Sequence, residues 1–139
     1  MLDLYGPQFY PSGKTGIRDR YEWGQREVEG RVKGGPRFRH FFAVHELEAW
    51  LLSAPDIFPR PVAEVVAKRE QMPEEVNFTH PPKARLKAVF RSHMRRDYKE
   101  TVDGVTLFSK LDPSVACKKC PFLKAMIDDL VVLAKAVGL

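Results

Sequence analysis

Long apolar runs are missing from this chain, since no stretch approaches the ~20 residues needed to span a bilayer. Met1 is not followed by the charged-then-apolar pattern of a secretory leader. Both absences point to a soluble, cytoplasmic protein with no membrane partner. Cysteine is equally scarce. Cys117 and Cys120 are the only two, too few and too close together to staple a secreted scaffold, and they are expected to stay reduced. The Cys-x-x-Cys spacing would suit half a zinc site, but a second ligand pair is absent, so packing at a helix junction is the default reading. There is no internal repeat and no low-complexity tract. Gly13-Lys14-Thr15 lacks the earlier glycine that a phosphate-cradling loop needs.

What remains suffices for one domain with a real core. In 139 residues the hydrophobic fraction is 44%, with nine Phe, four Tyr and two Trp, which argues against disorder. Acidic residues run short in one half only. Residues 1–75 carry 11 Lys/Arg and 12 Asp/Glu, whereas residues 76–139 carry 12 and 6, so the net charge of +5 belongs to the second half. Such asymmetry makes nucleic acid a candidate partner, although basic surfaces also serve solubility.

Met1 to Tyr5 alternates like a strand and stops at Gly6-Pro7. A strand that opens at the first residue suggests a chain beginning in mid-domain. A glycine- and proline-rich loop follows, then a surface helix from Tyr21 to Lys33 ending at Gly34-Gly35-Pro36. Phe38 to Val44, aromatic and β-branched, is the best strand candidate. The run from Glu46 to Leu52 continues it as a helix stopped by Pro55. Further helices are expected from Pro61 to Gln71, from about Pro82 to Met94, at Asp103, at Asp112-Pro113 with Asp as cap, and from Pro121. The Pro82 helix would turn Leu86, Val89, Phe90 and Met94 inward. The last would bury Phe122, Met126, Leu130, Leu133 and Val137.

Glu46 and Glu48 thus stand at a strand-to-helix junction, where ligands collect in open α/β sheets. With Asp3 they are the candidate Mg²⁺ ligands, since that ion takes one or two protein carboxylates and keeps waters for phosphate oxygens. Two residues apart on a helix, Glu46 and Glu48 cannot both face one site. The alternative is that they sit favourably in the first turn of a helix, near its positive end, and spacing by itself favours that reading. His45 could position a phosphate or transfer a proton, or serve as a hydrogen-bonded structural residue. Lys83, Arg85, Lys87, Arg91, Arg95, Arg96 and Lys99 stand against Asp97 alone. They form either a phosphate-backbone ridge or a solvated helix face.

Leu2-Asp3-Leu4-Tyr5-Gly6, the segment from His45 through Glu46, Glu48, Trp50 and Ser53 to Pro55, and Cys120-Pro121-Phe122 together resemble domain of unknown function family 4276, a relative of the Toprim domains. The similarity runs from residue 1 to the C-terminus, and the middle motif is its specific part. The resemblance implies an α/β fold, a partial Toprim-like (Rossmann-like) sheet flanked by helices, with a helical C-terminal half. One domain would span residues 1–139, truncated at its N-terminus relative to the family, so that the strand with the Glu-Gly acidic motif is missing. By resemblance Asp3 matches the first acid of an Asp-x-Asp pair whose second place Tyr5 occupies, and Glu46 and Glu48 match an additional acidic motif of related nucleases. The implied activity is Mg²⁺- or Mn²⁺-dependent hydrolysis of phosphodiester bonds. Asp3, Glu46, Glu48 and His45 would form the catalytic site, and Lys83, Arg85, Lys87 and Arg91 would hold the nucleic acid. An ATPase partner and a role in defence against phage or plasmid DNA are implied in the same way. The rival reading is a non-catalytic module that binds an ATPase partner or nucleic acid.

Overall fold

The computed structural model describes residues 2–4, 9–32, 35, 38–44, 46–69, 72–75 and 81–138. The chain forms two compact units, Met1–Val44 and His45–Leu139.

In the first unit, strand β1 (Leu2–Asp3) pairs in parallel with β2 (Phe42–Ala43), with Leu2 opposite Phe42 and Asp3 opposite Ala43. The Leu4 amide extends the ladder by one bond to the Ala43 carbonyl, at 2.9 Å. Helix α1 (Ile17–Arg31) lies between them in sequence. Its buried Gly24 leaves room for the Phe42 ring, because a Cβ there would stand 3.0 Å from two ring carbons. Two polar residues of α1 also hold the segment leading into β2. Gln25 donates to the His40 carbonyl and Glu29 accepts from the His40 amide, both at 2.9 Å. Both main-chain groups of His40 are thereby satisfied by side chains and not by a neighbouring strand.

That bonding is one physical reason the expected sheet does not form. The sequence pattern predicts a strand over residues 38–44 within a partial Toprim-like α/β sheet. Among the described residues there are only two strands of two residues each, and the rest of the regular structure is helical. The α/β expectation is corrected to a predominantly helical fold.

The second unit is a succession of helices: α2 (Glu48–Leu52), α3 (Arg60–Arg69), α4 (Pro82–Met94), α5 (Val105–Phe108), α6 (Pro113–Lys119) and α7 (Pro121–Ala136). Short 3₁₀ turns at Pro55–Ile57 and Pro73–Glu75 and a π turn at Glu100–Gly104 connect them. Leu51, Leu52, Phe58, Val62, Val66, Leu86, Phe90, Tyr98 and Leu107 form its main core. From α4, Leu86 and Phe90 are buried, with Val89 and Met94 packed partly buried beside them, as the four-residue spacing predicts. A smaller cluster of Ala116, Cys120 and Leu123 joins α6 to α7. Among the described residues no helix is long and apolar enough to cross a membrane.

Candidate functional site

The acidic motif meets the start of α4. Pro82 has no N–H, so Lys83 carries the first donor of that helix, and such first-turn donors have no partner inside the helix. Glu46 supplies one: its Oε2 accepts from the Lys83 amide at 2.9 Å. Glu48 is buried, and the Tyr98 hydroxyl points at its Oε1 from 3.5 Å, a long and weak hydrogen bond. Gly104 makes room for that hydroxyl, since a Cβ there would lie 2.9 Å from the Tyr98 oxygen. Burial pushes the Tyr98 phenol up, and the nearby charge of Glu48 adds to the shift.

Lys83 also enters this cluster through its side chain. Its Nζ stands 2.5 Å from Glu100 Oε2, and Lys87 Nζ stands 3.7 Å from the other Glu100 oxygen. The Glu100 contact holds Lys83 above the ordinary lysine range against the effect of burial, and the charges of Glu48 and Glu46 act in the same direction. Reciprocally, the Lys83 contact draws the Glu100 carboxyl down.

The basic ridge is largely paired within the chain. Beyond Lys83 and Lys87, Arg91 bonds to Asp97, and Arg96 holds Asp103 with both terminal nitrogens, at 2.8 and 2.7 Å. The seven cations therefore do not stand against Asp97 alone. Asp97, Glu100 and Asp103 recur every three residues just after the ridge, and the chain folds them back onto it. That spacing was the available signal. Exposed pairs of this kind add little stability, but they offset the positive potential that a phosphate backbone would need. Arg85, the fourth predicted phosphate contact, lies partly exposed on α4.

The other nominated residues are placed as follows. Asp3 belongs to the first unit, in β1, and its side chain lies outside the described residues, as does His45. Among the described residues no group of three or more His, Cys, Asp or Glu is arranged to hold a metal ion. Glu46 accepts the Lys83 amide at the start of α4. With neither a Toprim-like sheet nor a carboxylate cluster among the described residues, the reading of a Toprim-type, magnesium-dependent nuclease or hydrolase is corrected.

Cys117 and Cys120 are both unpaired thiols. Cys120 is fully buried in the α6–α7 cluster, where burial pushes its thiol up to about 12. A thiol so placed is a poor nucleophile and fills space.

One buried carboxylate escapes local sequence reasoning altogether. Glu74 is only 1% exposed. Its oxygens accept from the amides of Phe122 and Leu123 at 2.7 and 3.1 Å and from the Trp50 indole at 3.3 Å. It thereby anchors the beginning of α7 to the body of the second unit. From there α7 runs beyond its support: Leu130, Val131, Val132 and Val137 are 47, 45, 64 and 73% exposed. The expectation that α7 buries Phe122, Met126, Leu130, Leu133 and Val137 is corrected: Leu130 and Val137 are exposed, and Phe122 and Leu133 are only partly covered. Leu123 is its one buried residue, and Met126 is partly covered.

No curated protein and no solved structure matches this chain. The family model that does match is described as a domain of unknown function (DUF4276) and covers residues 1–131, so the chain belongs to that family.

Proposed function

We propose that this chain is a non-catalytic protein-interaction module whose binding element is the distal half of α7. The observation that carries the reading is the set of exposed aliphatic side chains at the far end of α7, Leu130, Val131 and Val132 with Val137 at the C-cap, on a helix anchored at its other end by Glu74. Exposed apolar residues scattered singly need no explanation, but four gathered within eight residues at one helix end favour an interaction surface. At ~25 cal/mol per Å² of apolar area removed from water, covering such side chains is a direct driving force for association. Of the two partner classes raised by the sequence, this surface supports a protein, such as an ATPase, over nucleic acid. The paired cations on α4 offer less to a phosphate backbone than their number suggests.

The test is a photo-crosslinking residue placed at Val132 of the full chain in cells, with adducts identified by mass spectrometry. A defined protein adduct that disappears when Leu130→Asp is added is the expected result. Absence of any adduct under conditions where the chain remains folded would sink the reading.

A further inference from the structure

One buried polar atom of the first unit is left without a partner. His40 is only 7% exposed, and among the described residues its Nε2 is sealed from solvent with no hydrogen-bond partner. Its main chain is held on both sides by α1, through Gln25 and Glu29, which fixes where the ring sits. The ring packs edge to face with Phe42, the centroids 4.5 Å apart and the planes at 76°. Phe42 in turn meets Tyr21 at 5.8 Å and lies against Gly24. His40 thus stands where α1 and the segment carrying β2 pack on one another.

We propose that His40 is an acid-sensitive latch, whose ring is neutral in the closed state and releases the segment 38–44 from α1 and β1 when it takes up a proton. The latch lies in the first unit and does not depend on how α7 is used. A neutral imidazole can keep its one hydrogen on Nδ1 and leave Nε2 a bare acceptor, whereas the imidazolium carries an N–H on both nitrogens. Protonation therefore places a charged donor at Nε2, where no acceptor stands, and a buried charge without a partner costs far more than a buried neutral group. Opening the segment returns that N–H to water. The ladder that the segment carries is short: β2 has two residues and pairs with a β1 of two, and elements with so few main-chain bonds open at the low end of the free-energy range. Release would expose Phe41 and Phe42, which are buried in the closed state. The charged groups around the ring leave the balance on the neutral side. Glu29 from α1 favours the charged ring, but burial, the largest influence, and the charge of the amino terminus oppose it and hold His40 below the ordinary histidine value of 6.5. Arg39, its neighbour in sequence, turns its guanidinium to the Phe38 carbonyl at 3.3 Å. A histidine held low favours the folded state while neutral. Its contribution is whole above the unfolded-chain value and is lost as pH falls through the lower folded-state value.

Hydrogen–deuterium exchange of the full chain, followed by mass spectrometry from about pH 7.5 to about 5 and corrected for intrinsic exchange rates, reads the latch directly. Peptides covering residues 38–44 should lose protection several-fold across that range, while peptides from the core of the second unit around Leu86 and Phe90 should not. His40→Phe keeps an aromatic ring and both main-chain clasps but cannot take up a proton, and it should remove the acid response. Glu29→Gln keeps an acceptor for the His40 amide and removes the charge that favours the imidazolium, so it should enlarge the response. NMR titration of the His40 ring in the wild-type chain needs no variant, and its midpoint is expected below that of the same histidine in the denatured chain. A midpoint at or above the denatured-chain value overturns the latch. So does protection over residues 38–44 that is indifferent to pH, an acid response that persists in His40→Phe, or a response that shrinks in Glu29→Gln.

Discussion

Two helix starts in the second unit are built alike and differ in burial. Helix α4 begins with Pro82 and α7 with Pro121, and in each the next amide is received by a glutamate far away in sequence, Glu46 for Lys83 and Glu74 for Phe122. Glu74 is sealed from solvent and takes a second amide and an indole N–H, whereas Glu46 is partly exposed where it accepts the Lys83 amide. A glutamate at a helix start can therefore be there to satisfy main-chain donors, and the acidic residue that looks like a metal ligand in sequence can share its task with one that sequence passes over.

The comparison predicts a ranking of stabilities. Glu74→Ala leaves the buried amides of Phe122 and Leu123 without partners and should cost about 2–4 kcal/mol of unfolding free energy, read by chemical denaturation. Glu46→Ala, at a wetter helix start where water can substitute, should cost about 1 kcal/mol. If Glu46→Ala proves as damaging as Glu74→Ala, burial is not what separates the two sites.

A smaller effect lies in the pH dependence. Burial, the largest influence, holds the Glu74 carboxyl above the ordinary glutamate value of 4.5 against the hydrogen bonds from Phe122, Leu123 and Trp50. A carboxyl raised in this way favours the folded state while protonated. Its contribution is fully present below the unfolded-chain value and is lost as pH rises through the higher folded-state value. Glu74→Gln cannot lose a proton, so the stability of wild type relative to this variant should fall as pH climbs from about 4.5 through the weakly acidic range. A difference between their unfolding midpoints that is flat or grows with pH would contradict the assignment. The smallest expected effect is that of divalent metal: because Glu46 serves α4, Mg²⁺ or Mn²⁺ at millimolar concentration should leave the unfolding midpoint unmoved. A saturable rise abolished by Glu46→Ala would restore a metal role to that residue.

Several helices were legible because their signals are local. Pro82, Pro113 and Pro121 each stand at the first position of a helix, and Asp112 accepts from Ser114 N at 2.8 Å as a cap two residues away should. The strand-to-helix junction around the acidic motif is also present, with β2 ending at Ala43 and α2 starting at Glu48. The sheet was not legible correctly, because an aromatic, β-branched segment satisfies a strand pattern whether its main chain is met by another strand or by Gln25 and Glu29 of a helix. Asp103, which the sequence pattern predicts to start a helix, instead sits inside the π turn, bound to Arg96 and to the Lys99 amide.

By itself, then, the sequence determined where most helices begin, which residues of α4 turn inward, and to which family the chain belongs, because prolines, caps and periodicity act over a few residues. Tertiary structure decided the rest. Glu74 reaches its amides across 48 and 49 residues of chain, and α6 stops short of supporting α7. No local pattern encodes such pairings, because they depend on which distant segment packing brings alongside.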